Sequence, residues 1–152
     1  MKRRDFTKNA SAAIAGSIFM APDFLRAEAW SKRISPNDKL QIGVIGCNGM
    51  GLSNTSSHLK MNDVDLVAIC DVDHAYAGRM FAKFPAASRW KDYREMLAKQ
   101  DNIEAVLIAT PDHTHAAIAM AALKAGKHVY CQKPLTHDIH EARELARVAA
   151  TA

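Results

Sequence analysis

Leu40 to Ile45 is a short, largely apolar run that ends abruptly in the turn Gly46-Cys47-Asn48-Gly49-Met50-Gly51. A run of that length bounded by glycine fits a strand buried on both faces; a helix needs about ten residues or more. The residues after the turn, Gly49 to Met61, are expected to be helical. Strand, tight turn and helix in direct succession commit the chain to an α/β architecture. A parallel neighbour can be reached only by a crossover, and such crossovers are right-handed.

The remainder repeats the theme. Strands are expected at Asp65–Cys70, Ser88–Lys91, Ala105–Ala109 and His128–Cys131. Helices are expected at His74–Phe84 (stopped by Pro85), Tyr93–Lys99 and His113–Ala125, with Gly126 closing the last. A final helix starts at Asp138, which forms a capping-box spacing with Glu141. Strands alternating with helices on this scale predict a Rossmann-type, doubly wound parallel sheet. Hydrophobic residues make up 49% and charged residues 24%, which suits one packed domain. The net charge of +4 is not gathered on one stretch, which argues against a nucleic-acid partner. Cys47, Cys70 and Cys131 form no C-x-x-C pair and no zinc spacing, so they read as small buried residues. His113, His115, His137 and His140 lack the spacing of a helical zinc motif, so no metal is expected.

A turn of this kind serves a particular chemistry. A dinucleotide site needs a tight strand-to-helix reversal, backbone that can approach a pyrophosphate, and a helix N-terminus aimed at its charge. Gly46 suits the reversal and Gly51 close helix–strand packing. The middle position of G-x-G-x-x-G is Asn48, which tolerates positive φ and has Gly49 beside it. Asp71 stands 20 residues after Gly51, at the end of the second strand. A carboxylate there can accept ribose hydroxyls and would repel a 2′-phosphate, so NAD is favoured over NADP. Asp71 could instead cap the following helix, but Asp73 is better placed for that.

Residues 1–29 read as an address. Arg3-Arg4-Asp5-Phe6-Thr7-Lys8 precedes a modestly apolar run from Ala10 to Ala21, too short to span a bilayer, and Ala27-Glu28-Ala29 offers a cleavage site. The pattern resembles a twin-arginine export signal, which implies a periplasmic or extracytoplasmic protein with no stable membrane anchor. Residues 30–38 read as a linker, and residues 39–152 as the nucleotide-binding domain.

The second half narrows the reading. Ala109-Thr110-Pro111-Asp112-His113-Thr114-His115, then Ala125 to Val129, then Cys131-Gln132-Lys133-Pro134-Leu135 resemble the Gfo/Idh/MocA oxidoreductases, which include glucose–fructose oxidoreductase and inositol dehydrogenase. The resemblance covers residues 39–152. It implies that Thr110 and Pro111 line the middle of the cofactor, and that His115 ends a T-P-x-x-x-H motif. It also makes Lys133 the lysine of an E-K-P motif, catalytic beside the nicotinamide ribose, with Gln132 replacing the usual glutamate. The expected cofactor-binding set is therefore Gly46, Asn48, Gly49, Met50, Gly51, Asp71, Thr110, Pro111, His115, Gln132 and Lys133. The implied activity is hydride transfer between a nicotinamide cofactor and a sugar or polyol hydroxyl. Some members of the family are instead glycoside hydrolases that use NAD in a redox-neutral cycle. Members carry a C-terminal α/β substrate domain, absent from this sequence, and are commonly homo-oligomers. Residues 39–152 alone are thus expected to bind nucleotide without turnover, on a sheet lacking its sixth strand.

Overall fold

A computed structural model describes residues 39–152; the export-signal and linker readings lie outside the described residues. Five strands form one parallel sheet: β1 (Leu40–Ile45), β2 (Val64–Cys70), β3 (Ser88–Trp90), β4 (Ala105–Ile108) and β5 (His128–Cys131). Their order across the sheet is β3-β2-β1-β4-β5, with every neighbouring pair parallel. Between them run α1 (Met50–His58), α2 (Gly78–Lys83), α3 (Tyr93–Lys99) and α4 (His115–Lys124), and α5 (Ile139–Ala149) follows β5. The expected doubly wound sheet is the observed one.

The strands are hydrophobic on both sides because both faces are covered. Val44, Ile69 and Leu107 point to one face, where they meet Met80 and Phe81 of α2. Their chain neighbours Ile45, Cys70 and Ile108 point to the other, against Met96 of α3, Ala116, Ile118, Ala119 and Ala122 of α4, and Leu145 of α5. Each fully buried aliphatic side chain contributes about 1.5–3 kcal/mol, so the two layers hold the strand tips firmly. The β1–β2 register slips at one point: Leu66 faces Ile42 and Ala68 faces Gly43, which leaves Val67 without a partner on β1.

Local signals set most boundaries. Asp92 accepts from the Arg94 N–H and starts α3, and Asp138 accepts from the Glu141 N–H while Glu141 reaches back to the His137 N–H. Gly126, at φ 69°, closes α4: its N–H reaches the Leu123 carbonyl and the Lys127 N–H reaches Ala122. Two helices start later than expected. Asp73 Oδ1 accepts from the Ala75 and Tyr76 N–H groups and holds residues 74–77 in a separate turn, so α2 begins only at Gly78. Asp112–Thr114 forms one tight 3₁₀ turn before α4. β3 is short, and side chains tie it down. Trp90 Nε1 donates to Ser88 Oγ and Gln100 Oε1, while Gln100 Nε2 and Ser88 Oγ donate to the Val67 carbonyl.

Candidate functional site: a cleft at the strand ends

β1 lies between β2 and β4. The chain leaves β1 through α1 to β2 on one side, and reaches β4 on the other side only after β3 and α3. Loops at the C-terminal ends of β1 and β4 therefore diverge and leave a crevice at the switch point. A cleft of about 600 Å³ opens there, lined by Gly46, Asn48, Gly49, Asp71, Thr110 and Pro111 among others. A second concavity of about 660 Å³ lies at the opposite end of the sheet, between Leu59, Val64 and Phe84. It has no glycine turn, and its Lys39 is engaged with Asp65.

Each glycine of the turn has its own reason. Gly46 sits at φ 79°, and a Cβ there would lie 2.7 Å from the Ala109 carbonyl carbon and the Thr110 nitrogen. The loops after β1 and β4 touch at this point, so no side chain fits. A Cβ on Gly51 would overlap the Gly46 carbonyl oxygen, which is the close helix–strand approach expected of that position. Gly49, at φ 51°, faces open space. Asn48 does not use positive φ; no residue other than glycine does among the described residues. The reversal is made by Gly46 and Gly49 instead, and Asn48 Nδ2 donates to the Tyr76 carbonyl at 2.6 Å, tying the turn to the one after β2. Gly49 precedes α1 without a side-chain cap, and the first turn of α1 holds no acid. The positive end of the helix is left for an anionic ligand.

Asp71 stands at the tip of β2 on the cleft wall. Its Oδ2 accepts from the Cys47 N–H at 3.1 Å and from the Cys47 thiol at 3.2 Å, and Oδ1 accepts from the Asp73 N–H at 3.0 Å. Burial, then the hydrogen bond and charge of Asp71, push the Cys47 thiol up to about 12. Burial, helped by the charges of Asp71 and Asp92, raises Cys70 to about 12 as well. Both cysteines are neutral, buried thiols.

The cleft does not collect every expected residue. Met50 is 54% exposed and is not among the residues that line it. His115 is 2% exposed, with Nδ1 2.7 Å from the Pro134 carbonyl and Nε2 2.8 Å from the Thr110 carbonyl. It pins the loop after β4 to the loop after β5 and touches no ligand space, so its expected direct cofactor contact becomes a positioning role. Gln132 and Lys133 leave the end of β5 beyond the cleft lining, where the Gln132 N–H still pairs with the Ile108 carbonyl and Lys133 is exposed. The cleft also gathers His113 of the Thr110–His115 motif, and residues that the sequence did not single out: Val72, Tyr76, Lys91, Tyr93 and Arg94. Tyr76 and Val72 are 66% and 83% exposed, apolar surfaces flanking Asp71. Their signal in the sequence was only proximity to the acid.

A glycine turn under an uncapped helix, with a carboxylate at the tip of the next strand, defines a dinucleotide-binding Rossmann domain. Residues 40–152 match the oxidoreductase family with an NAD-binding Rossmann fold, Gfo/Idh/MocA, and the chain belongs to that family. An inositol 2-dehydrogenase of Rubrobacter xylanophilus is 34% identical over 72% of this chain and 31% of its own length. A glycosyl hydrolase family 109 protein of Stenotrophomonas maltophilia is 34% identical over 87% of this chain and 29% of its own. Among solved structures, GenD2 from gentamicin A biosynthesis in complex with NAD is 30% identical with a TM-score of 0.71, over 77% of this chain and 33% of that one. The chain thus spans about a third of the length of the relatives it matches.

Proposed function

We propose that this chain is the nucleotide-binding part of an exported, NAD-dependent oxidoreductase that transfers hydride between a sugar or polyol carbon and the cofactor. The observation that carries the reading is the Asp71 carboxylate, held on the cleft wall against the glycine turn. The residues fit a dinucleotide: Asp71 would hold the adenosine ribose, and the N-terminus of α1 with Gly49 would face the pyrophosphate. Thr110 and Pro111 would support the centre of the molecule. When bound, NAD supplies the hydride acceptor. Lys133, at the exit of β5, would hold the reacting hydroxyl and ease the departure of its proton as the C–H bond breaks. The inositol dehydrogenase relative supports a polyol substrate. The basic leader supports twin-arginine export to the periplasm.

A second reading has its own support. The glycosyl hydrolase relative aligns over more of this chain than the dehydrogenase does, 87% against 72%. In that case the same cleft would hold NAD through a cycle with no net redox change, and the substrate would be a glycoside. Titration with NAD, followed by nucleotide fluorescence, tests the shared premise. Incubating the intact protein with NAD and either polyols or aryl glycosides separates the two. Accumulating NADH supports the oxidoreductase, and sugar release without net NADH supports the hydrolase. Failure to bind NAD would remove both.

A further inference from the structure

Asp71 is not a free carboxylate waiting at a strand tip. Two of its three hydrogen bonds come from one residue, Cys47, whose N–H and thiol both end on Oδ2. A carboxylate oxygen offers about two acceptor sites. Oδ2 is therefore filled by Cys47, while Oδ1, with only the Asp73 N–H, retains capacity for a ligand. We propose that Cys47 is a positioning residue that sets nucleotide specificity: its thiol locks the Asp71 carboxylate against the glycine turn, so that one oxygen always faces the 2′ position of a bound ribose. This rests on the assignment of the cleft to NAD.

The chemistry of the thiol suits the task. Cys47 has no exposed surface, and it packs in the same layer as Val44, Ile69, Ala77 and Leu107. A serine there would donate a stronger hydrogen bond but would bring a hydroxyl into that apolar layer. Cysteine behaves as a small hydrophobe that still donates. Because burial and Asp71 keep the sulfur protonated, the donor persists throughout the physiological range. Without it, Asp71 keeps only backbone donors and gains freedom to turn from the cleft. Charge repulsion then no longer sits at a fixed point against a 2′-phosphate.

The test is the binding of NAD and NADP to the full chain by calorimetry, in wild type and in Cys47→Ala, Cys47→Val and Cys47→Ser. Loss of a hydrogen bond to a charged group is expected to weaken NAD about tenfold in Cys47→Ala, and to narrow the NADP-to-NAD ratio of dissociation constants. Cys47→Val refills the volume without a donor and should behave alike, which keeps the test valid if the alanine variant does not fold. Cys47→Ser should restore both affinity and ratio despite a lower melting temperature. A merely structural cysteine would give the reverse order, with valine or alanine tolerated and serine worst. Wild-type ratios in Cys47→Ala or Cys47→Val, or no rescue by serine, would overturn the inference. A wild-type chain that binds no NAD overturns the underlying reading instead, before any variant is compared.

Discussion

At Gly51 a single methyl group would overlap the carbonyl oxygen of Gly46. The obstacle is backbone on both sides, so it cannot relax as a flexible side chain would. Gly51→Ala is expected to cost about 3 kcal/mol and to abolish nucleotide binding, read as a lowered urea midpoint and a flat NAD titration. Met50, its exposed neighbour, provides the contrast: Met50→Ala should stay within about 0.5 kcal/mol of wild type. The buried thiols give a pH signature. Cys47 and Cys70 are raised from 9.0 to about 12, so their stabilising neutral state is fully present below pH 9. Above that the unfolded chain loses the protons first, and stability falls until the folded groups titrate near pH 12. Each thiol should contribute a slope of up to about 1.4 kcal/mol per pH unit, measured as urea midpoints between pH 8 and 11. Removing Cys70 with Cys70→Ala should roughly halve the combined slope and leave the part due to Cys47. At this scale the sequence was partly legible. Gly46, Gly51 and Asp71 could be read from spacing, because their demands are local. The bond from Cys47 to Asp71 could not, because it joins residues brought together only by β1–β2 pairing.

Elements end where backbone groups find partners, and the end of α4 contrasts with the glycine turn. Gly126 also has positive φ, yet a Cβ there would meet nothing within 4 Å. Gly126→Ala should therefore cost only the left-handed backbone penalty, about 1 kcal/mol, and leave NAD binding intact. Thermal melts alongside an NAD titration would check both halves of that statement. A cost comparable to that at Gly51 would mean that the end of α4 supports the cleft more than its geometry indicates. The strands β1 and β5 and the helix α3 have the bounds expected from the sequence, since apolar runs and Asp92 mark them. The start of α2 was illegible for a physical reason. Asp73 serves the turn 74–77 with the same side-chain chemistry that would cap a helix, and pattern alone does not tell one outcome from the other.

For the whole molecule, the strand order β3-β2-β1-β4-β5 places the three loops that follow β1, β2 and β4 on one crevice, 46–49, 71–76 and 109–114, beside Lys91, Tyr93 and Arg94. Alternation of strands and helices made the parallel sheet legible, and the switch point follows from the order. What pattern did not supply is how tightly the stretches are cross-linked before any ligand arrives. Asn48 is tied to Tyr76 and Cys47 to Asp71, Gly46 abuts the backbone of Ala109 and Thr110, and His115 holds Thr110 to Pro134 of the loop after β5. A site linked in this way should respond to nucleotide as a unit. NAD at one hundred times its dissociation constant is expected to stabilise the domain by about 2.7 kcal/mol. Amide hydrogen exchange should then slow in all three stretches together, while the far concavity around Leu59 and Phe84 follows only the global change. In His115→Ala the link between the loops after β4 and β5 is gone. The 109–114 stretch should then lose protection that 46–49 and 71–76 keep. Equal exchange across the three stretches in that variant would mean that His115 fills space in the core without coupling the loops.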